Sequence, residues 1–213
     1  MKHVELIIFD LDGTLVDSKE AIARGVNFVL KKVGLQEKPK AEIISYIGTW
    51  LDNLIKKSLG PKQQALFEKA KFIFENYRQA SPDSSLLYPG VKDILEHFKN
   101  KKKIIVTNRN YKFTLPTLKK LGIYDYFEDI IGGDDLTCLK PSGCPLDMAI
   151  NRRKIDKDKI IIVGDMDIDI LAGKEAGIAT CAVTYGIGKK EDILKASPDF
   201  IIDKISELKN IIN

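Results

Sequence analysis

The chain has 213 residues and the composition of an ordinary globular protein, with 44% hydrophobic, 30% charged and 8% aromatic residues. This composition excludes collagen-like, coiled-coil and disordered proteins. The 34 basic and 30 acidic residues leave a formal charge of +4, and the basic runs are scattered, so no nucleic-acid partner is expected. No apolar run is long enough for a membrane span or a signal peptide, so we expect no membrane partner and a cytoplasmic location.

The three cysteines, Cys138, Cys144 and Cys181, are odd in number and irregularly spaced. This pattern is unlike a disulfide framework. No neighbouring Cys or His completes a zinc-binding set. The sequence therefore predicts reduced thiols at all three positions.

The chain opens with an apolar stretch, residues 4–9, which predicts a strand buried on both faces. Apolar residues then recur at helical spacing from residue 22 to residue 33. Three further helices are predicted between about residues 40 and 80. This helical region ends in a Ser- and Pro-rich linker at residues 81–90.

Beyond residue 90, helices and strands alternate. Predicted strands lie at 103–106, 129–131, 160–163, 179–183 and 200–202, and predicted helices at 91–100, 111–121, 145–154, 168–176 and 191–196. Such alternation implies right-handed crossovers and a mostly parallel sheet covered by helices on both faces. The predicted fold class is therefore α/β: a doubly wound, Rossmann-like core (residues 1–15 and 87–213) with an inserted all-helical cap domain (residues 16–86).

Polar residues follow successive strands of this predicted core. They are Asp10 and Asp12, Thr107 and Asn108, Lys140, and Asp165 and Asp169. Ligands of a doubly wound sheet bind outside the carboxyl ends of its strands. If the strands are adjacent, these side chains converge at one edge of the sheet.

Clustered carboxylates repel one another, and a divalent cation relieves that repulsion. An all-oxygen donor set suits Mg²⁺, which also accepts phosphate oxygens. One carboxylate is able to attack phosphorus, and another, two residues along an extended segment, is able to transfer the proton. Placing carboxylates beside a buried strand costs desolvation energy unless something compensates for it. A catalytic site is therefore favoured over the alternative that these acids are surface charges or helix caps.

The motifs resemble those of the haloacid dehalogenase superfamily of phosphohydrolases. The matching segments, in the order of the family, are 9–18 (Phe-Asp-Leu-Asp-Gly-Thr-Leu-Val-Asp-Ser), 107–108 (Thr-Asn), 140–141 (Lys-Pro) and 164–169 (Gly-Asp-x-x-x-Asp). The helical insertion is similar to the C1 helical cap of subfamily I. Further segments, among them 88–91 and 132–135, resemble the phosphoglycolate phosphatase branch.

The resemblance implies catalytic roles for three residues. Asp10 is the nucleophile and a Mg²⁺ ligand. Asp12 is the general acid/base, and its backbone carbonyl is also on the metal. Lys140 offsets the negative charge of the nucleophile and the phosphate. The implied reaction is Mg²⁺-dependent hydrolysis of a small phosphorylated metabolite through an aspartyl-phosphate, with 2-phosphoglycolate as a candidate substrate.

The resemblance also implies binding roles for four residues. Thr107 binds the transferring phosphoryl group with help from the backbone of Asn108. Asp165 binds Mg²⁺, and Asp169 supports that site directly or indirectly. Arg109, next in the chain, either meets a carboxylate of the substrate or is exposed to solvent, and exposure is the favoured interpretation.

The cap is where substrate selection is expected. Residues 48–50 resemble the substrate-specificity loop of the family. The alternative is a plain turn between two helices, with Trp50 packed in the core of the cap. The sequence leaves these two interpretations open.

Three other functions compete with a phosphatase. A phosphomutase of the β-phosphoglucomutase type uses the same core, and the sequence hardly separates it from a hydrolase. A receiver-type phosphoacceptor module is shorter and takes phosphate on a mid-sheet strand rather than the first. A dehalogenase lacks the second acid of the first motif, which is present here as Asp12. The sequence does not decide between a monomer and a homodimer.

Overall fold

The computed structural model describes residues 1–48, 50–80, 84–134 and 137–213. The chain divides into two compact units, one comprising Met1–Asp17 and Leu86–Asn213 and the other comprising Ser18–Ser85. Thr49 of the loop at 48–50, residues 81–83 of the predicted linker, and Asp135 of the segment at 132–135 lie outside the described residues.

The larger unit contains the strands. They are β1 (Leu6–Phe9), β2 (Val16–Asp17), β3 (Leu86–Leu87), β4 (Lys102–Val106), β5 (Asp129–Ile131), β6 (Ile160–Gly164), β7 (Ala179–Val183) and β8 (Phe200–Ile202). Within the described residues, six of them form a parallel sheet in the order β5-β4-β1-β6-β7-β8. The predicted α/β fold is confirmed. A short antiparallel pair, β2 with β3, was not predicted.

Some helices pack against the sheet within the larger unit, and the others build the smaller unit. They are α1 (Lys19–Lys32), α2 (Lys40–Ile44), α3 (Leu51–Leu59), α4 (Phe67–Ala80), α5 (Val91–His97), α6 (Tyr111–Leu121), α7 (Cys144–Asn151), α8 (Asp167–Glu175) and α9 (Lys190–Ala196). Short 3₁₀ helices lie at Pro61–Leu66, Tyr124–Tyr126, Lys157–Lys159 and Ile205–Asn210. In the described ranges, no helix combines the length and the apolar character that crossing a membrane requires.

The central strand β1 shows why the apolar runs are nearly continuous. All four of its residues are buried, because helices cover both faces of the sheet. Ile7 and Phe9 point into one hydrophobic cluster, which α5 and α6 complete. Leu6 and Ile8 point into the opposite cluster, which α7 and α8 complete. Because successive side chains of a strand point to opposite faces, β1 contributes residues to both hydrophobic clusters.

The smaller unit has its own hydrophobic core. Apolar residues of α1, α3 and α4, among them Val26, Ile55 and Phe74, pack together there. Trp50 precedes α3 and its surface is 44% exposed, so the interpretation that packs Trp50 in this core is wrong. A substrate-binding role for the loop around Trp50 stays a prediction.

Candidate active site

The sheet order brings three predicted site residues to neighbouring strand ends. Because β1 lies between β4 and β6, Asp10 is flanked by Thr107, which follows β4, and by Asp165, which follows β6. The backbone N–H of Asp10 donates to the carbonyl of Val163 at 2.9 Å, and that of Thr107 donates to the carbonyl of Ile131 at 3.0 Å. These hydrogen bonds continue the pairing of the sheet one residue beyond β1 and β4. They therefore fix the backbone at the positions that carry the first polar side chains.

Lys140 connects this strand edge to the start of α8. Its ammonium nitrogen Nζ lies 2.7 Å from Asp10 Oδ1, 2.6 Å from Asp169 Oδ1 and 2.9 Å from the carbonyl oxygen of Val106. The side chain is almost fully buried. Since an ammonium group has three N–H donors, each donor has an acceptor here. The predicted meeting of Asp10, Lys140 and Asp169 is present in the structure.

Asn108 holds the backbone of Lys140 in place. Its amide nitrogen Nδ2 donates to the carbonyl of Lys140 at 2.9 Å, and the N–H of Lys140 donates to Asn108 Oδ1 at 3.1 Å. Both hydrogen bonds are buried. The sequence suggested only a backbone role for Asn108. It did not indicate that the side chain of Asn108 connects the loop that carries Lys140 to the end of β4.

Asp165 is fully buried and is oriented by two loops. Its Oδ1 accepts a hydrogen bond from the hydroxyl of Thr14 at 2.9 Å, and its Oδ2 accepts bonds from the N–H groups of Ile187 at 2.7 Å and Gly188 at 3.3 Å. Gly13 has a φ of +97°, and a Cβ there would overlap the Asp165 carboxylate. Sequence reasoning missed these orienting residues, although Ile187 and Gly188 follow β7 at the same edge of the sheet.

Three buried carboxylates lie close together. Oxygen atoms of Asp10, Asp165 and Asp169 all lie within 4.8 Å of one another. Burial raises the pKa of Asp10 well above its usual value; Lys140 opposes this, and the neighbouring carboxylates add to it. Burial, together with Asp169, raises the pKa of Asp165 to about 7. Burial disfavours the charged form of Lys140, but Asp10 and Asp169 outweigh it and its pKa is raised.

These groups fit a hard divalent cation. The donors are all oxygens, and Lys140 alone does not keep Asp10 and Asp165 at the pKa of a solvated carboxyl group. A further positive charge among them favours the ionised forms, so this group of acids is able to hold a divalent metal ion. The carboxylate of Asp12 is not part of this group in the described residues. The role expected for Asp12 at the metal used its backbone carbonyl instead.

Asp12 has a different partner, Arg109. The guanidinium nitrogen Nη1 lies 3.1 Å from Asp12 Oδ1, and the side chains of Arg109 and Asp12 are 9% and 14% exposed. The other terminal nitrogen, Nη2, donates to the carbonyl of Phe113 at 3.1 Å and to the hydroxyl of Thr117 at 2.6 Å. The favoured prediction that Arg109 is exposed is therefore wrong, because the first turns of α6 provide acceptors that bury it.

A disulfide bond joins Cys138 to Cys144, with 6.3 Å between their Cα atoms. The prediction of reduced thiols is wrong for this pair and holds for Cys181, which is free and buried. The irregular spacing of the cysteines was misleading, because the fold brings together the two ends of the loop that carries Lys140, at the start of α7. The disulfide closes a small ring of chain that contains Lys140.

Comparison with known proteins extends over both units. A family model described as haloacid dehalogenase-like hydrolase matches residues 7–183. A phosphoglycolate phosphatase from Nitrosococcus oceani is 34% identical, over 100% of this chain and 98% of that protein. One from Vibrio cholerae is also 34% identical, with the same coverage. The crystal structure of a predicted phosphoglycolate phosphatase from Haemophilus somnus gives a TM-score of 0.89 at 29% identity, covering 99% of both chains.

Reduction of the Cys138–Cys144 disulfide should lower the free energy of unfolding by about 2 kcal/mol, because an open ring of this size gives the unfolded chain more freedom. Urea unfolding with and without reductant measures the difference. The Cys181→Ala variant should keep this response to reductant, and Cys138→Ser should lose it. If alkylation of the unreduced, unfolded protein labelled all three cysteines, the disulfide would be absent in solution.

Proposed function

Because this chain belongs to the haloacid dehalogenase-like hydrolase family and is a phosphatase, we propose that it hydrolyses a small phosphorylated metabolite with the help of Mg²⁺ and through a phosphoryl-Asp10 intermediate. The observation that carries this proposal is the contact of Lys140 with both Asp10 and Asp169, beside the buried Asp165. A structural ion pair needs one acid, whereas this lysine contacts two acids of a cluster of three. Such a cluster suits a site that also receives a cation and a phosphate.

In the first step, an oxygen of Asp10 attacks phosphorus. Lys140 holds Oδ1, which leaves Oδ2 to form the new bond. As that oxygen–phosphorus bond forms, the bond from phosphorus to the leaving oxygen of the substrate breaks. Asp12 gives its proton to the leaving oxygen, which departs as an alcohol. The Thr107 hydroxyl and the backbone N–H of Asn108 bind the transferring phosphoryl oxygens.

In the second step, water attacks the phosphoryl group on Asp10. Asp12, now a carboxylate, takes a proton from that water as its oxygen bonds to phosphorus. The bond between phosphorus and Asp10 breaks, which restores the Asp10 carboxylate and releases inorganic phosphate. Throughout, the ammonium group of Lys140 offsets the negative charge on Asp10 and on the phosphoryl oxygens.

We assign the cation to Asp10, Asp165 and the backbone carbonyl of Asp12. Mg²⁺ bound there supplies positive charge to the phosphoryl oxygens. Asp169 supports the site through its neighbours, because its Oδ1 accepts from Lys140 at 2.6 Å and its Oδ2 accepts from the N–H of Met166 at 3.0 Å. That second bond fixes Asp169 at the beginning of α8.

The first substrate to test is 2-phosphoglycolate. Two relatives that are 34% identical over nearly their whole length carry the name phosphoglycolate phosphatase. We propose that the helical region predicted at residues 16–86 is a cap that selects the substrate and excludes water during the reaction. Its loop around Trp50, whose ring is partly exposed, is the first place to seek contacts that decide specificity.

The Asp10→Asn variant should reduce turnover of 4-nitrophenyl phosphate to the background rate, because an amide does not replace a carboxylate as the nucleophile. Acid quenching followed by mass spectrometry should find one phosphoryl group on the Asp10 peptide of the wild type and none in the variant. Asp129→Asn, at the start of β5 and outside the cluster, is the matched control and should keep its activity. Substantial turnover by a folded Asp10→Asn variant would disprove the mechanism.

Removal of divalent metal with a chelator should abolish activity, and added Mg²⁺ should restore it. A readout independent of activity is stability: Mg²⁺ at 100 times its Kd should raise the free energy of unfolding by about 2.7 kcal/mol. The Asp165→Asn variant should lose this stabilisation, since Asp165 is a proposed ligand. Activity that survives complete chelation contradicts the assignment of Mg²⁺.

Product analysis separates the phosphatase from the phosphomutase. The wild type should release inorganic phosphate from 2-phosphoglycolate in the presence of Mg²⁺, because water is the final acceptor in the proposed reaction. Incubation with β-glucose 1-phosphate should yield at most free phosphate and glucose. Accumulation of glucose 6-phosphate in place of phosphate would show that a sugar hydroxyl accepts the phosphoryl group, and the mutase would then replace the hydrolase.

A further inference from the structure

Arg109 forms a bridge between Asp12 and α6. Its Nη1 contacts Asp12 Oδ1 at 3.1 Å, while its Nη2 donates to the carbonyl of Phe113 at 3.1 Å and to the hydroxyl of Thr117 at 2.6 Å. A guanidinium group this deeply buried needs such partners, because an unpaired charge away from water is costly. The bridge therefore holds a defined geometry rather than a mobile surface ion pair.

The backbone of Arg109 is fixed as well. Its N–H donates to the hydroxyl of Thr107 at 3.2 Å, and its carbonyl accepts from the N–H of Gly133 at 2.9 Å. Thr117 in turn donates its hydroxyl to the carbonyl of Phe113 at 2.9 Å. The backbone of Arg109 is thus tied to the loops that follow β4 and β5, and its guanidinium group to α6, so the position of Nη1 is set before a substrate binds.

We propose that Arg109 is a positioning residue that holds the carboxyl group of Asp12 where it exchanges protons with the leaving oxygen and the attacking water. This inference rests on the proposed function, which makes Asp12 the general acid/base. Arg109 contacts Oδ1, so Oδ2 is the oxygen that meets the substrate. A direct contact of Arg109 with a carboxylate of the substrate is disfavoured, because both terminal nitrogens already donate to acceptors of the protein.

The test is the dependence of kcat/KM on the leaving group in aryl phosphates whose phenols become progressively more basic. A good leaving group such as 4-nitrophenolate departs without a proton, whereas a basic phenolate needs one. For Arg109→Met we expect about a tenfold or larger fall in kcat/KM with phenyl and 4-methoxyphenyl phosphate, since a misplaced general acid costs up to about 10²-fold. With 4-nitrophenyl phosphate the fall should be several times smaller.

Thr117→Val tests the same bridge from its other end and preserves the shape of the side chain. It removes the hydroxyl that accepts from Nη2, so it should change the leaving-group dependence in the same direction and by a smaller factor. Thermal unfolding of each variant establishes that it is folded. This second variant keeps the inference testable if Arg109→Met does not fold.

Arg153→Met is the matched control. Arg153 also joins a carboxylate to a helix, with Nη2 2.9 Å from Asp129 Oδ2 and Nη1 2.6 Å from the carbonyl of Ala149, but it lies outside the site. This variant should lose stability and keep the wild-type dependence on the leaving group. An equal fall for every aryl phosphate in Arg109→Met would overturn the inference and indicate a purely structural role.

Asp12→Asn separates a failure of this inference from a failure of the proposed function. If Asp12→Asn steepens the leaving-group dependence and neither Arg109→Met nor Thr117→Val does, the role of Asp12 stands and that of Arg109 is wrong. If Asp12→Asn leaves the dependence unchanged, both roles are wrong. A larger loss for 2-phosphoglycolate than for phenyl phosphate, seen as a raised KM in Arg109→Met alone, would instead place Arg109 on the carboxylate of the substrate.

Discussion

The buried ammonium group of Lys140 allows the acids of this site to exist side by side. Taking a carboxylate out of water is unfavourable, and bringing a second and a third next to it adds repulsion. Lys140 meets two of the three acids directly, and its third donor is satisfied by the carbonyl of Val106. Removing a buried, hydrogen-bonded cation of this kind strongly destabilises the fold, because its carboxylate partners would be left as unpaired charges.

The surrounding structure is arranged to keep that ammonium group in place. Asn108 binds the Lys140 backbone on both its N–H and its carbonyl, so the end of β4 determines where the lysine side chain starts. The Cys138–Cys144 disulfide joins the two sides of the same loop. Asp169 is held by the first turn of α8. Asn108 and the disulfide thus hold the loop that carries Lys140, and Asp169 holds its ammonium group, which restricts the motion of that group and leaves the acids in a fixed geometry.

The sequence predicted the sheet, and the meeting of the acids at one edge of it, because both depend on simple rules. A strand buried on both faces must be apolar throughout, and the residue after such a strand emerges at the ligand-binding edge. Those two rules place Asp10 and Asp165 together although they are far apart in the chain. The rules say nothing about the paths of loops, so they did not indicate that Ile187 and Gly188 reach Asp165 or that two cysteines meet around Lys140.

Arg109 shows what a closer analysis of spacing adds. Phe113 and Thr117 are four residues apart and lie on one side of α6, and Arg109 stands four residues before Phe113, in the segment that leads into the helix. A long cationic side chain that precedes a helix is able to reach a backbone carbonyl in the first turn and a hydroxyl one turn further on. Such a side chain need not extend into solvent. The sequence contained this spacing, but the direction of the side chain depends on the turn between β4 and α6, which no local pattern determines.

The two acids of the first motif therefore have separate cations. Asp10 contacts Lys140, which lies in the loop after β5, whereas Asp12 contacts Arg109, which lies in the loop after β4. Although the two acids are separated by one residue, their charges are compensated independently. In the proposed reaction Asp10 has to remain a nucleophile, while Asp12 has to give up a proton and then accept one. Different environments are how proteins assign such different tasks to neighbouring carboxyl groups. A single shared cation would couple the two acids, so each change of protonation at Asp12 would disturb the nucleophile.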